Sequence, residues 1–442
     1  MTAQLSSPSG PLKGELRAPG DKSISHRALI LSALAAGRSS VTGMLEADDV
    51  MRTAAALAAA GVGVARTGAG AWRIDGVGIG GLGEPAAVLD MGNSGTAARL
   101  LLGVLASHDL TAFLTGDASL CARPMARVIE PLTRIGAMFV ARSGMRLPLA
   151  IRGTAQPLPI RYRLPVASAQ VKSAILLAGL NIAGRTTVVE PHPSRDHTER
   201  LLRLFGAELS VTTEPDGSRV VALTGQPELK PQRLEVPGDP SSAAFAAVAG
   251  LIIPGSELTI AGVGINPLRT GLFETLRAMG AAIEIEPRGE LCGEPVADLR
   301  VRSSHLVGVE VPADRAPRMI DEYPILAVAA ACAQGRTVMR GLGELRVKES
   351  DRLSAIARGL EACGVVVEAG ADSLAVTGRG QPPPGGGRIE TRLDHRIAMS
   401  FLVMGAAARQ GVEIDDSTMI ATSYPGFVEA FNRLGGAIQP LA

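Results

Sequence analysis

Residues 15–37 read ELRAPGDKSISHRALILSALAAG, and the plan of the whole chain is contained in them. An extended segment passes through Pro19 and Gly20 to Asp21 and Ser23, residue types that cap helix N-termini. A run of small and apolar residues follows with almost no polar face, which describes a helix meant for the interior. Gly37 then closes the run, since glycine can leave a helix in the left-handed conformation.

The same plan recurs at VLDMGNSGTAARLLLGVLA (88–106), LPVASAQVKSAILLAGLNIAG (164–184), LEVPGDPSSAAFAAVAGLIIPG (234–255), VEVPADRAPRMIDEYPILAVAAACAQG (309–335) and IETRLDHRIAMSFLVMGAAARQG (389–411). The period is about 70–77 residues, longer than the usual solenoid repeats. After the closing glycine comes a strand rich in Val, Thr and Ile, as in SSVTGML (39–45), TTVVEP (186–191), SELTIAG (256–262) and RTVMRGL (336–342). A second helix follows, as in ADDVMRTAAALAAAG (47–61), RDHTERLLRLFG (195–206) and KESDRLSAIARGLEACG (348–364), with apolar residues at three- and four-residue steps and hence one buried face. The expected fold class is therefore α/β: six repeated units in two domains of three, divided near the Pro/Gly-rich segment around residues 225–240. Pseudo-symmetry should turn the positively polarised starts of several first helices toward a cleft between the domains, where they would attract phosphate or carboxylate.

Composition excludes several classes of function. At 442 residues the chain exceeds the ~250–300 that one core can serve. A net charge of +1 offers no basic excess for nucleic acid or a membrane surface. The four cysteines, Cys121, Cys292, Cys332 and Cys363, have neither zinc-site nor disulfide spacing, which fits a reducing cytoplasm. The first twenty residues lack the charged-then-apolar pattern of a signal peptide. The longest apolar stretches, such as SAILLAGLNIAG and YPILAVAAACA, are shorter than the ~18–20 residues of a membrane span.

Lys22, Arg123, Lys348, Arg352 and Arg396 all fall at or beside expected helix starts. A cation there is ordinarily unfavourable by a few tenths to about 1 kcal/mol, so five such placements point to bound anions. Ser23 and Arg27 share a helical face with Lys22 at its tip, and together they could hold a phosphate and a carboxylate. Lys348 and Arg352 are likewise four apart with Glu349 between them; a carboxyl so flanked needs partial burial to hold a transferable proton. Asp321 enters an otherwise apolar helix, as either a cap or a base. Ser168 and Gln170 are neutral hydrogen-bonders at another helix start.

The motifs PGDKSISHRAL, GNSGTAARL, GDASLCARPM, ASAQVKSA, MIDEYPILAVAAA, VKESDRL and LDHRIAMSFLVMG, in this order, resemble those of the 3-phosphoshikimate 1-carboxyvinyltransferases, and most nearly the bacterial branch often called class II. The resemblance implies two inverse α/β domains, each of three βαβαββ-like units, facing each other across a cleft. It places residues 21–236 in one domain and combines 1–20 with 237–442 in the other. It implies that Lys22, Ser23, Arg27, Ser168, Ala169, Gln170, Arg195, Asp321 and Lys348 contact shikimate 3-phosphate. Lys22, Gly95, Arg123, Gln170, Arg352 and Arg396 would surround phosphoenolpyruvate. Asp321, Glu349 and Lys22 would be catalytic. No metal or organic cofactor is implied, and the expected form is a cytoplasmic monomer.

Two local features qualify that resemblance. Where many members of the family place a lysine ahead of the last aromatic-Pro segment, MIATSYPGF has Thr422, which shifts the phosphoenolpyruvate site onto the arginines. Gly95 stands where glyphosate-tolerant relatives commonly have alanine, so glyphosate is an expected inhibitor. The sister transferase acting on UDP-N-acetylglucosamine carries a Cys five residues before an Arg-Pro pair; here that position is Ala118, and Cys121 lies two before Arg123. A non-catalytic anion-binding relative should have lost its acids and bases, whereas Asp321, Glu349 and Lys22 are all present.

Overall fold

The computed structural model describes residues 2–441. Its strands form six four-stranded sheets, one for each repeat. One unit shows the pattern. Leu89–Asp90 leads into the helix Gly95–Ala106, the strand Thr111–Thr115, the helices Ala118–Ala122 and Ala126–Ile135, and the hairpin of Met138–Arg142 with Arg146–Arg152. Leu89 stands opposite Leu114 in parallel, and Thr111 stands opposite Arg152 in antiparallel, so the last strand inserts beside the second. The core helix supplies the crossover that two parallel strands require.

Two units have exchanged their first strands. Lys13–Arg17, just ahead of the helix Lys22–Leu34, pairs in parallel with Glu257–Gly264. Arg233–Glu235, just ahead of the helix Pro240–Ile252, pairs instead with Ala36–Thr42. Gln4–Ser6 also joins distant chain, lying between Val412–Ile414 and Ile438–Pro440. The described residues fall into two compact units. One holds the chain up to Pro19, Pro237–Glu290 and the chain from Pro295 onward; the other holds Gly20–Val236 and the short turn Leu291–Glu294. Each has its own apolar core. Among the described residues no helix is long and apolar enough to cross a membrane.

The helix starts are encoded locally. Asp21 accepts from the Ile24 amide at 2.8 Å, Ser94 from Ala97 at 3.2 Å, Ser168 from Val171 at 3.4 Å, Asp239 from Ser241 at 2.8 Å and Asp394 from Arg396 at 3.0 Å. Each bond satisfies an amide that the first turn leaves without a partner. Tyr323–Cys332 is the exception. Asp321 was expected inside that helix or capping it, but the helix begins only at Tyr323, and no side chain caps it. Pro324 explains the late start, because proline suits the first turn, where its missing N–H costs nothing.

The ends of the core helices also differ from expectation. Leu34, Ile252, Cys332 and Ala407 are followed by extended caps, not by left-handed glycine; after Leu34 and Cys332 the next strand begins two residues on, whereas a short turn follows Ile252 and Ala407. Left-handed glycine ends a second helix instead, as at Gly136 with φ 118°.

Core helices lacking side-chain bulk at the contact can approach closely. An added Cβ at Gly103 would lie 2.3 Å from the carbonyl oxygen of Ala174 and 2.6 Å from its Cα, so Gly103 fixes how near Gly95–Ala106 comes to Ala169–Gly179. Gly103→Ala should therefore destabilise the fold by about 1–3 kcal/mol through overpacking. Urea unfolding measures this, and an unchanged midpoint would show that these helices separate freely.

Candidate active site

Each unit gathers its own cluster of the expected residues. In the unit containing Gly20–Val236, Lys22 is the first residue of its helix, and its Nζ lies 2.9 Å from Asp49 Oδ2. Ser23 is half-buried beside it. Arg27 is buried and donates from Nε to Thr198 Oγ1 at 2.7 Å, from Nη1 to Ser23 O at 2.8 Å and from Nη2 to Ser173 Oγ at 2.8 Å. Burial drops its pKa to about 10; Asp21 and Glu199 oppose the drop, and the nearby positive charge of Arg195 adds to it. Two cations that repel each other in this way are a natural seat for a dianion.

A second group lies at the start of Gly95–Ala106. Gln170 donates to Thr96 Oγ1 at 3.0 Å and accepts from Arg99 Nη1 at 3.0 Å, while Arg99 also reaches Gly95 O at 3.2 Å. Arg123 is anchored by Asn93 Oδ1 at 2.7 Å and Ser119 Oγ at 3.0 Å. A Cβ on Gly95 would meet Arg99 Nη1 at 2.7 Å and Arg123 Nη1 at 3.3 Å, so Gly95, Arg99, Arg123 and Gln170 form one constellation. Arg123 was expected beside a helix start. It stands two residues ahead of Met125, the N-cap of Ala126–Ile135, and it also closes the short helix Ala118–Ala122. Ser168 caps its helix, and Ala169 begins it.

In the unit containing Pro295 onward, Arg352 is the hub. Its side chain is 0% exposed, with Nε 2.8 Å from Asp394 Oδ2, Nη1 3.2 Å from Asp321 Oδ1 and Nη2 2.5 Å from Glu349 Oε2. Burial works against its charge, but Asp394, Glu349 and Asp321 outweigh that and hold its pKa well above the usual arginine value. Lys348 Nζ stands 3.8 Å from Asp321 Oδ1, and Arg396 Nη1 stands 3.4 Å from the Asp321 carbonyl. Lys348 and Arg352 were expected on one helical face. Instead the helix begins at Arg352, and Lys348 ends a separate 3-10 turn, so Asp321 brings the two together. Thr422 spends its hydroxyl on Met419 O at 2.7 Å, inside its own 3-10 turn.

Sequence reasoning passed over Arg99, Asp49 and Asp394. Arg99 carried a signal, since it lies four residues after Gly95 on the same helical face.

His26 follows from the crowding of Lys22 and Arg27. Burial, then those two cations, push its pKa well below 6.5, and its Nδ1 lies 2.7 Å from Thr53 Oγ1. The unfolded chain thus binds a proton near pH 6.5 that the folded chain refuses, so stability is complete above that pH and falls below it. His108, also lowered by burial, adds to the same trend. Thermal midpoints should decline from pH 7 to 5, and His26→Asn should flatten the slope; an unaltered slope would place the acid sensitivity elsewhere.

The fold is shared with the enolpyruvyl transferase NikO from Streptomyces tendae, which aligns with a TM-score of 0.78 over 100% of this chain and 98% of its own, at 19% identity. The family model described as EPSP synthase (3-phosphoshikimate 1-carboxyvinyltransferase) matches residues 6–431, and the chain belongs to that family. A 3-phosphoshikimate 1-carboxyvinyltransferase of Rhodospirillum rubrum is 61% identical over 436 residues, 98% of this chain and 96% of that protein. An EPSP synthase from Acinetobacter baumannii is 43% identical, with a TM-score of 0.89 and complete coverage of both chains.

Proposed function

We propose that this chain transfers the enolpyruvyl group of phosphoenolpyruvate to the 5-hydroxyl of shikimate 3-phosphate and releases phosphate. The observation that carries this is the coexistence, in a chain that matches the family over residues 6–431, of the cation groups around Arg27 and around Gly95 with the carboxylates Asp321 and Glu349 beside Arg352. Lys22, Ser23, Arg27, Ser168, Ala169, Gln170, Arg195, Asp321 and Lys348 bind shikimate 3-phosphate. Lys22, Gly95, Arg123, Gln170, Arg352 and Arg396 bind phosphoenolpyruvate.

In the addition step Asp321 removes the hydroxyl proton as the oxygen bonds to C2, and the alkene electrons take a proton at C3 from Glu349, with Lys22 assisting. In the elimination step Glu349 recovers a methyl proton, the alkene re-forms, and the C2–O bond to phosphate breaks. Arg123, Arg352 and Arg396 offset the charge on carboxylate and leaving phosphate. Every step is a proton transfer or a change at a C–O bond. We further propose a cytoplasmic monomer, for which the four free cysteines are supporting evidence of a reducing compartment, and competition by glyphosate for the phosphoenolpyruvate site.

Purified chain incubated with shikimate 3-phosphate and phosphoenolpyruvate should release phosphate and form the enolpyruvyl ether. Phosphate release only with UDP-N-acetylglucosamine as acceptor would overturn the assignment.

A further inference from the structure

Ala169–Gly179 carries a charge that the proposed reaction leaves unused. Lys172 is 0% exposed, and its Nζ lies 3.0 Å from Glu190 Oε2 and 2.8 Å from Glu199 Oε1, both carboxylates also 0% exposed. Arg219 Nη1 completes the group at 3.4 Å from each. Two cations and two anions balance, and all but the partly exposed Arg219 are fully buried. A buried ion group of this kind adds little stability over an apolar replacement, but it constrains geometry.

The geometry it constrains is that of the arginines next door. Ser194 is gripped from three directions: its carbonyl accepts from Lys172 Nζ at 3.3 Å, its amide donates to Glu190 Oε1 at 3.3 Å, and its hydroxyl donates to the same oxygen. The next residue is Arg195. On the other side, Ser173 follows Lys172, and Thr198 precedes Glu199. Their hydroxyls lie 2.6 Å apart, and both accept from Arg27. The Lys172–Glu199 pair thus ties Ala169–Gly179 to His197–Leu204 one residue away from the two hydroxyls that aim Arg27.

On the reading that Arg27 and Arg195 hold the 3-phosphate, we propose that Lys172, Glu190 and Glu199 are positioning residues for that phosphate, Lys172 and Glu190 acting through Ser194 on Arg195, and Lys172 and Glu199 through Ser173 and Thr198 on Arg27. The quartet then sets discrimination between shikimate 3-phosphate and unphosphorylated shikimate without touching either.

Ser194→Ala removes one grip and leaves every buried charge paired. It should raise KM for shikimate 3-phosphate about tenfold. The value of kcat, the KM for phosphoenolpyruvate and the competitive inhibition constant of shikimate should all stay within about twofold. The charge-balanced pair Lys172→Met with Glu190→Gln should enlarge the same selective loss to about 10²-fold. Equal weakening of shikimate and its 3-phosphate, or a fall in kcat at constant KM, would overturn the proposal, since merely structural damage acts that way. Arg195→Ala separates the two levels. Lost discrimination there but none in Ser194→Ala overturns the positioning role alone. Intact discrimination in Arg195→Ala overturns the phosphate assignment beneath it.

Discussion

Asp321→Asn and Glu349→Gln should each lower kcat by about 10²–10⁴-fold while leaving calorimetric binding of shikimate 3-phosphate largely intact. The proposed mechanism asks each carboxyl to move a proton, which the amide cannot do, while the amide keeps nearly the same shape. Both acids touch Arg352, and a binding explanation must therefore be considered. It predicts something different. Arg352 keeps Asp394 at 2.8 Å in either variant, so the hub retains a fully buried counter-charge and the local fold should persist. A loss confined to affinity, with kcat preserved, would reassign the residue from proton transfer to binding. Near-native turnover would remove it from the mechanism.

The two acids should differ in which half-reaction they stop. In the proposed mechanism Asp321 acts only on the acceptor hydroxyl, so its amide should block formation of the tetrahedral adduct. The same mechanism uses Glu349 in both steps, so Glu349→Gln should slow breakdown of an adduct supplied to the enzyme as well as its formation. Single-turnover quenching distinguishes these cases, and equal behaviour of the two variants on preformed adduct would undo the division of roles.

The sequence displayed what is locally written. Asp21, Ser94, Ser168, Asp239 and Asp394 each cap a helix through an amide two or three residues on, so the helix starts could be read from a few neighbouring letters. Pairings between distant segments left no such trace. Nothing within ELRAP says that Lys13–Arg17 will pair with Glu257–Gly264, or that Arg233–Glu235 will take the place it vacates beside Ala36–Thr42; the resemblance alone suggested that the first strand joins distant chain. The site divides in the same way. Ser23 and Arg27 were visible because one helical turn joins them, whereas Asp394 meets Arg352 across 42 positions. Asp321 was misplaced although the signal was present, since Pro324 marks a first turn and leaves Asp321 outside it.

Gly95→Ala should weaken inhibition by glyphosate about 10²-fold while raising KM for phosphoenolpyruvate less than tenfold. Gly95 is the first residue of its helix, with φ outside the left-handed region, so its backbone accepts alanine without strain. The added methyl would point at the tips of Arg99 and Arg123, 2.7 and 3.3 Å away. Arg99 is the flexible end of a long side chain and can yield, which keeps the protein folded. The space in front of those cations does not recover, because the methyl now occupies it. Phosphoenolpyruvate is compact and can settle slightly outward along the same guanidinium groups. Glyphosate is longer between its phosphonate and carboxylate, so a methyl at one end forces a misfit at the other, and overpacking of about 3 kcal/mol corresponds to about 10²-fold in affinity. The movement of Arg99 also loosens its 3.0 Å bond to Gln170, which accounts for the smaller penalty on the substrate. Inhibition constants and KM measured side by side on both enzymes test this. An alanine variant inhibited as strongly as the parent, or a parent indifferent to millimolar glyphosate, would show that Gly95 does no more than ease the turn into its helix.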